Sequence, residues 1–161
     1  KDCDYVCHLA SPFPASTPKD ENEIIKPAVE GTVNVLKACA QTPTVRRVVL
    51  TASVVSVGYG HPYDVKREYT EKDWTNVENC GAYPKSKTLA EQAAWKFVKE
   101  NDGPNKFELA TVNPGLVMGP PLTKLGGTSI GICSRIMNRE MPAVPEIGMA
   151  LVDVRDVARA H

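Results

Sequence analysis

The sequence has no excess of charge of either sign and no long apolar run. Its 161 residues include 19 Lys plus Arg and 19 Asp plus Glu, so the formal net charge is zero. This balance provides no basic field that would attract nucleic acid or an acidic membrane surface. No secretory leader, membrane-spanning segment, repeat or low-complexity tract is visible in the sequence. We therefore expect a cytoplasmic protein without nucleic-acid or membrane partners, and the sequence leaves its oligomeric state open.

Cysteine and histidine are too few and too scattered to predict a metal site. The cysteines number five, an odd count, and Cys3 and Cys7 fall in a predicted strand without a second closely spaced pair elsewhere. The three histidines are likewise dispersed along the chain. We expect reduced thiols, with neither a disulfide framework nor a zinc site.

The two ends of the sequence both fall in predicted secondary structure. The chain opens at Lys1, directly before a strand and without an initiator Met, and it ends at His161 just after a helix has begun. The length is sufficient for one domain with a hydrophobic core, and the apolar content of 42% is ordinary for a globular protein. We therefore expect an internal part of a longer protein.

Apolar runs alternate with segments of helical periodicity along the chain. This alternation predicts a series of βαβ units and hence a parallel sheet. A polar segment at 57–81 is predicted as a loop that contains a short helical turn near 70–74. Strands are predicted at 4–10, 45–53, 107–113 and 149–154, and helices at 23–41, 82–100, 129–139 and from 155 onwards.

The segment 82–100 carries the first chemical signal. Tyr83 and Lys87 are four residues apart, so they lie one above the other on one face of the predicted helix. An ammonium group one turn away favours the phenolate, so we expect the pKa of Tyr83 to be lowered, which would suit a general acid at neutral pH. This spacing by itself is more typical of an exposed surface pair, and the neighbouring motifs decide between the two interpretations.

Three predicted strands end in residues that suit a ligand site. The first is followed by the segment 8–12, the second ends at 51–53, and the third is followed by 113–117. In parallel α/β sheets, ligands bind outside the carboxyl ends of the strands. We expect these three ends to converge on one cleft, beside the helix that carries Tyr83.

The combination of Ser53 at a strand end with Tyr83 and Lys87 on the next helix forms a Ser…Tyr-x-x-x-Lys set. The set resembles that of the extended short-chain dehydrogenase/reductase superfamily, and the closest likeness is to its dihydroflavonol-reductase-like group within the NAD-dependent epimerase/dehydratase family. Each motif alone is weakly specific, whereas six in the family's order cover nearly the whole chain. The six matching stretches are 8–12, 25–32, 46–53, 83–91, 112–120 and 152–158.

The resemblance implies a role for each matching residue. Ser53 would bind the substrate oxygen, Tyr83 would donate the proton, and Lys87 would lower the tyrosine pKa and bind the nicotinamide ribose. The cofactor-binding residues that the resemblance implies, besides Tyr83 and Lys87, are Leu9, Ala10 and Ser11 along the ribose and diphosphate, Thr51 at the strand end, Pro114, Gly115, Leu116 and Val117 at the nicotinamide carboxamide, and Ser129.

The resemblance also implies a fold, which is a Rossmann-like doubly wound parallel α/β sheet that is incomplete in this chain. Residues 1–161 would form the central part of a single nucleotide-binding domain, with about 120–148 contributing to the substrate side. The family's Gly-rich phosphate loop would precede Lys1, since no G-x-x-G-x-x-G motif occurs in the sequence, and most of the substrate domain would follow His161. The implied cofactor is NADP(H) rather than NAD(H).

The function that the resemblance implies is the NADP(H)-dependent reduction of a small-molecule aldehyde or ketone to an alcohol. Three alternatives stay open: a nucleotide-sugar epimerase or dehydratase or a hydroxysteroid dehydrogenase of the same superfamily, a non-catalytic cofactor-binding protein, and an inert fragment. The substrate cannot be identified from the sequence. Tyr59, Met118, Leu122 and Met137 are candidates either for an apolar substrate pocket or for the core.

Overall fold

The computed structural model describes residues 3–13, 18–62, 64, 66–123, 127–143 and 148–161. The chain divides into two compact units, Lys1–Asn113 and Pro114–His161. The first unit contains β1 (Tyr5–His8), α1 (Asn22–Ala40), β2 (Arg47–Thr51), α2 (Ala82–Glu100) and β3 (Glu108–Val112), with 3₁₀ turns at Val54–Ser56 and Val77–Asn79. The second contains β4 (Leu116–Met118), α3 (Thr128–Met137), β5 (Leu151–Asp153) and α4 (Val154–Ala160).

The three strands of the first unit form a parallel sheet in the order β1–β2–β3. His8 lies opposite Leu50, and Thr51 lies opposite Val112, so the carboxyl ends of all three strands meet at one edge of the sheet. Each strand is joined to the next through a long helix, which is the βαβ connection that parallel pairing requires. The parallel α/β prediction is therefore confirmed, and the predicted strands are correct in place but longer than the observed ones.

Helices α1 and α2 pack against each other, and their buried faces form the core together with the sheet. Leu36 of α1 is almost fully buried, and it lies in one cluster with Val48 of β2 and Ala94 of α2, both of which have no exposed surface. Close packing of this kind is favoured by the apolar stripe on α1 and by the small side chain of Ala94. The cluster is completed by Cys39, Ala40, Val45, Leu50 and Phe107.

Asn105 joins the two loops at the amino-terminal edge of the sheet. Its side-chain amide donates hydrogen bonds to the carbonyl oxygens of Cys39 at 3.2 Å, Thr42 at 2.9 Å and Val45 at 2.8 Å. Its backbone N–H donates to the carbonyl of Ala40 at 3.1 Å. An amide carries only two side-chain hydrogens, so at least one of them is shared between two acceptors. The end of α1 is thereby tied to the segment that leads into β3.

We expect Asn105→Ala to lower the free energy of unfolding by about 1–3 kcal/mol, because several carbonyl oxygens lose their donor. Asn105→Asp should cost at least as much, since it has nearly the same shape but offers oxygen atoms where donors are needed. Urea unfolding of the full-length protein and of both variants measures these differences. An Asp variant as stable as the wild type would show that donation by this amide does not stabilise the fold.

The second unit contains a parallel pair, β4 and β5, in which Leu116 lies opposite Leu151. The backbone N–H of Leu116 donates to the carbonyl of Ala150 at 2.7 Å. At Gly115 a Cβ atom would lie 2.3 Å from that same carbonyl oxygen, so the close approach of the two segments requires glycine. Strand β4 was not predicted, because we expected a turn after Asn113.

Two further sequence predictions need comment. The short helical turn expected near 70–74 is a hydrogen-bonded turn, in which the N–H of Asp73 donates to the carbonyl of Thr70 at 3.0 Å, and the 3₁₀ turn lies later, at Val77–Asn79. The assignment of about 120–148 to the substrate side stays a prediction, and 124–126 and 144–147 of that range lie outside the described residues.

Among the helices that the structure describes, none combines the length and the hydropathy that a membrane span requires.

Candidate active site

The first turns of α2 hold Tyr83 and Lys87 in fixed positions. The helix begins at Ala82 after Gly81, and the N–H of Lys85 donates to the Gly81 carbonyl at 3.1 Å. The hydroxyl of Ser86 donates to the carbonyl of Tyr83 at 2.8 Å, and that of Thr88 donates to the carbonyl of Pro84, also at 2.8 Å. Ser86 and Thr88 are fully buried, and these bonds satisfy their hydroxyls within the helix.

Tyr83 lies against the carboxyl end of β2. The side chains of Ser53 and Tyr83 lie close enough together for the serine hydroxyl to lower the pKa of Tyr83. Ser53 lies two residues after the end of the strand, and its hydroxyl accepts the N–H of Val55 at 3.4 Å, which caps the 3₁₀ turn after it. The ring of Phe13 packs edge-on against Tyr83, with 4.7 Å between the centroids. The predicted proton donor and the predicted oxygen-binding serine are therefore neighbours at the end of β2.

The pKa of Tyr83 is raised, because burial disfavours the charged phenolate, and the hydrogen bond with Ser53 offsets this only in part. The sequence led us to expect a lowered pKa from the neighbouring Lys87, so the predicted direction is wrong for this structure. The physical reason is that helical spacing reports the distance between two groups but not their burial. With a raised pKa the phenol of Tyr83 is protonated at neutral pH.

Lys87 lies one turn further along α2 and is only 8% exposed. Burial lowers its pKa, and the negative charge of Glu91 acts in the opposite direction. The pKa of His8, the last residue of β1, is lowered by burial and by the positive charge of Lys87. The ammonium group is therefore close enough to the end of β1 to affect a side chain there electrostatically.

A small cavity of about 10 Å³ lies at the carboxyl edge of the sheet. Among the residues predicted to bind the cofactor, it brings together Ala10, Ser11, Thr51 and Lys87. Leu9 is 60% exposed and does not line it. The residues Ser11, Thr51 and Lys87 carry hydroxyl and ammonium groups, which can donate hydrogen bonds to the hydroxyls of a ribose. The residue types at this edge thus suit the sugar of a dinucleotide, and the cavity that they line has room for about one water molecule.

The remaining predicted residues belong to the second unit, and their roles stay predictions. Pro114 and Gly115 precede β4, which contains Leu116 and Val117. Ser129 lies in the first turn of α3 and lines an apolar cleft of about 640 Å³ within this unit, together with Val117, Met118 and Leu122.

The four residues considered for either a pocket or the core are mostly exposed. Leu122 and Met137 are exposed by 102% and 81%, and Tyr59 by 49%, so none of these three belongs to the core. Tyr59 instead lines an open cleft of about 750 Å³ in the first unit. The cleft is also lined by the aromatic residues Tyr69, Trp74 and Trp95 and by the polar residues Glu91 and Asn113.

The sequence did not assign a role to Glu91 or Asn113, although both lie within the matching motifs. The side-chain amide of Asn113 donates to a carboxylate oxygen of Glu91 at 2.8 Å and to the carbonyl oxygen of Ser53 at 3.2 Å. Glu91 is 5% exposed. The sequence contains one indication that Glu91 belongs with the predicted catalytic residues. Glu91 follows Lys87 by four residues, as Lys87 follows Tyr83. The contact with Asn113 depends on the tertiary fold.

The described part of the chain contains no group of three His, Cys, Asp or Glu side chains arranged to hold a metal ion. The five cysteines are free thiols.

Comparison with known proteins gives a consistent assignment. Residues 1–161 match the NAD dependent epimerase/dehydratase family. The chain is 40% identical to cinnamoyl-CoA reductase CAD2 of Medicago truncatula, over 99% of this chain and 49% of that protein. It is also 40% identical to an anthocyanidin reductase of Vitis vinifera, over 99% of this chain and 50% of that protein.

Solved structures agree with this assignment. Yeast methylglyoxal/isovaleraldehyde reductase Gre2, complexed with NADPH, superposes with a TM-score of 0.87 at 35% identity, over 99% of this chain and 52% of that one. The chain spans about half the length of the curated relatives it matches. The chain belongs to the NAD dependent epimerase/dehydratase family of extended short-chain dehydrogenases/reductases, as the motifs around Ser53, Tyr83 and Lys87 predicted.

Proposed function

We propose that the full-length protein reduces an aldehyde or ketone to an alcohol with NADPH. The observation that carries this proposal is the proximity of Ser53 to a protonated, partly buried Tyr83, with Lys87 one helical turn away at the carboxyl edge of a parallel sheet. The names of the similar proteins support it, since cinnamoyl-CoA reductase and methylglyoxal/isovaleraldehyde reductase are named for carbonyl compounds that they reduce.

In the proposed reaction, bound NADPH supplies the hydride that forms the new C–H bond at the carbonyl carbon. The hydroxyl of Ser53 donates a hydrogen bond to the carbonyl oxygen and so orients it toward Tyr83. As negative charge develops on that oxygen, the phenol of Tyr83 transfers its proton to it, and Tyr83 then recovers a proton from solvent. The positive charge of Lys87 stabilises the transient phenolate.

The raised pKa of Tyr83 is compatible with this role. A general acid must carry its proton before the reaction, and a phenol with a raised pKa does so throughout the neutral range. The product alkoxide is more basic than a phenolate, so the transfer is downhill once hydride has been delivered. Tyr83 would therefore act in the reductive direction without prior activation.

The residues that would hold the cofactor in the first unit are Lys87, Ser11 and Thr51, whose ammonium and hydroxyl groups line the cavity at the strand ends. We propose NADPH rather than NADH. This choice is supported by the NADPH complex of the yeast reductase, and by a second NADPH complex of Gre2 from Candida albicans, which is 35% identical to this chain.

We further infer that the substrate is a small carbonyl compound and that the protein acts in the cytoplasm. The substrate class is supported by the names of the relatives. The location is supported by the free thiols, because a reducing compartment keeps cysteines in that state.

The test is to measure NADPH oxidation by the purified full-length protein with a panel of aliphatic aldehydes, aromatic aldehydes, hydroxycinnamoyl-CoA thioesters and flavonoid ketones. We expect carbonyl-dependent loss of NADPH absorbance and a stoichiometric amount of reduced product, which is an alcohol from an aldehyde or ketone and an aldehyde with free CoA from a thioester. Conversion of a nucleotide sugar without net consumption of cofactor would instead identify an epimerase. Tight NADPH binding without turnover of any carbonyl would contradict the reductase proposal in favour of a cofactor-binding protein.

A further inference from the structure

Glu91 is a buried carboxylate next to the proposed active site that the reaction outlined above does not use. It is 5% exposed on α2, and glutamate is almost never so fully buried unless it is paired. The proposed reaction uses Ser53, Tyr83 and Lys87 and gives no reason for a buried carboxylate beside them. The partners of Glu91 suggest a reason for its location.

Its hydrogen-bond partner connects it to the strand that carries Ser53. The amide of Asn113 donates to Glu91 at 2.8 Å and to the backbone carbonyl of Ser53 at 3.2 Å. Asn113 follows directly after β3, where the N–H of Ala52 donates to the carbonyl of Val112 at 2.9 Å and holds the ends of β2 and β3 together. Asn113 is thus a bridge from helix α2 to the strand end at which Ser53 lies.

Its negative charge acts on Lys87, one helical turn earlier, and raises the pKa of that ammonium group. Both side chains line the small cavity at the carboxyl edge, together with Ser11 and Thr51. A buried ammonium and a buried carboxylate each lose hydration, and their mutual attraction offsets part of that cost. Removing the carboxylate would leave the ammonium of Lys87 buried without compensation, which favours its neutral form.

We propose that Glu91 and Asn113 are positioning residues of the reductase site: the negative charge of Glu91 keeps Lys87 charged, and Asn113 fixes Glu91 relative to Ser53. The inference rests on the proposed function for its kinetic consequences. The two hydrogen bonds of Asn113 link α2, at Glu91, to the segment after β2, at Ser53. This link fixes the distance between the helix that carries Tyr83 and Lys87 and the residue that would bind the carbonyl oxygen.

The consequence is a definite pH dependence. The charged and titratable groups that face Lys87 are Tyr83 and Glu91 on its own helix and His8 on β1. The pKa of His8 is lowered, so His8 is uncharged between about pH 7 and pH 10 and does not contribute there. Burial lowers the pKa of Lys87 and Glu91 raises it, so loss of the carboxylate lowers it further. Activity that requires the ammonium form should then be lost at a lower pH.

The first experiment compares kcat for NADPH-dependent carbonyl reduction as a function of pH in the full-length protein and in Glu91→Gln. Glutamine keeps the volume and an oxygen that can accept from Asn113, but it carries no charge. We expect the alkaline limb of the kcat profile to move to lower pH by about one unit, with KM for the carbonyl substrate little changed. Glu91→Asp keeps the charge, so its alkaline limb should lie most of the way back toward the pH of the wild-type limb.

The matched control is Glu100→Gln, the same chemical change at an exposed position of the same helix. Its kcat profile should coincide with that of the wild type. Asn113→Ala should move the alkaline limb in the same direction as Glu91→Gln but less far, because Glu91 loses the hydrogen bond that holds its carboxylate near Lys87. An unmoved limb in Asn113→Ala would overturn the part of the proposal that concerns Asn113.

A second measurement does not depend on activity. Lysine labelled with ¹³C at the ε carbon gives a pH titration of Lys87 by NMR, and Lys87→Arg identifies its signal. We expect Lys87 to titrate at a lower pH in Glu91→Gln than in the wild type. In Glu100→Gln, Lys87 should titrate at the same pH as in the wild type. If neither this titration nor the kcat profile moves in Glu91→Gln, the proposal is overturned. If the wild type reduces no carbonyl but the titration moves, the reductase function fails while the electrostatic role of Glu91 stands.

Discussion

Replacing Tyr83 with phenylalanine is expected to lower kcat for carbonyl reduction by about a hundred- to ten-thousand-fold, which is the usual contribution of a positioned general acid. The change removes the only atom of the side chain that carries a transferable proton and keeps the ring that packs against Phe13. The hydroxyl of Ser53 remains to bind the carbonyl oxygen, so KM should change much less than kcat. Steady-state kinetics of NADPH oxidation measures both constants.

The control for this variant is Tyr5→Phe. Tyr5 is 60% exposed on β1, and its ring lies 6.0 Å from the guanidinium carbon of Arg46, a contact that phenylalanine can retain. Its kcat should equal that of the wild type within experimental error. Binding of NADPH to Tyr83→Phe, followed by fluorescence titration, should persist and would show that the site is intact. A Tyr83→Phe enzyme that keeps a kcat within a few-fold of wild type would exclude Tyr83 as the proton donor.

The sequence was sufficient to place Tyr83 and Lys87, because local rules govern that placement. Helical periodicity, the proline in the first turn and the four-residue spacing all depend on residues that are close along the chain. The structure has α2 at Ala82–Glu100, the predicted range. The direction of the Tyr83 pKa was not predictable in the same way, because it depends on how much water the surrounding fold excludes from the phenol.

The bridge through Asn113 lay beyond the sequence for a related reason. Asn113 and Glu91 are 22 residues apart, and Asn113 and Ser53 are 60 apart. No periodicity connects positions at such separations, so the contacts appear only once β2, β3 and α2 are assembled. The carboxyl end of β3 was predicted to approach the site, but the residues that Asn113 would contact were not.

Strand β4 shows how local signals can be overridden. Its three residues lie between Gly115 and Gly119, and Pro114 precedes them, which is a pattern typical of turns. The strand forms because β5 supplies hydrogen-bond partners from more than thirty residues later, such as the carbonyl of Ala150 for Leu116. Short strands whose stability comes from a distant partner are not visible in local sequence patterns.

Leu36→Ala is expected to lower the free energy of unfolding by about 2–5 kcal/mol. Leu36 is 1% exposed on α1 and lies in the cluster that joins this helix to Val48 of β2 and Ala94 of α2. Truncation removes the transfer free energy of the buried side chain and leaves a cavity that close-packed neighbours cannot fill. Since whole domains are stable by about 5–15 kcal/mol, such a loss is a large part of the total. Urea unfolding of the full-length protein measures it.

Two further variants separate the effect of the cavity from other consequences of the substitution. Leu36→Met keeps most of the volume and should cost less than about 1.5 kcal/mol. Asn34→Ala makes a substitution at an exposed position two residues earlier on α1 and should leave stability within about 0.5 kcal/mol of wild type.

Hydrogen exchange should show the loss of protection in Leu36→Ala concentrated in α1 and β2. Because α2 packs on this same helix, a weakened α1 should also loosen the turn that holds Tyr83 and Lys87, and kcat should then fall at temperatures below the unfolding transition. If Leu36→Ala unfolds at the same urea concentration as Asn34→Ala, Leu36 does not occupy the core that supports the active site.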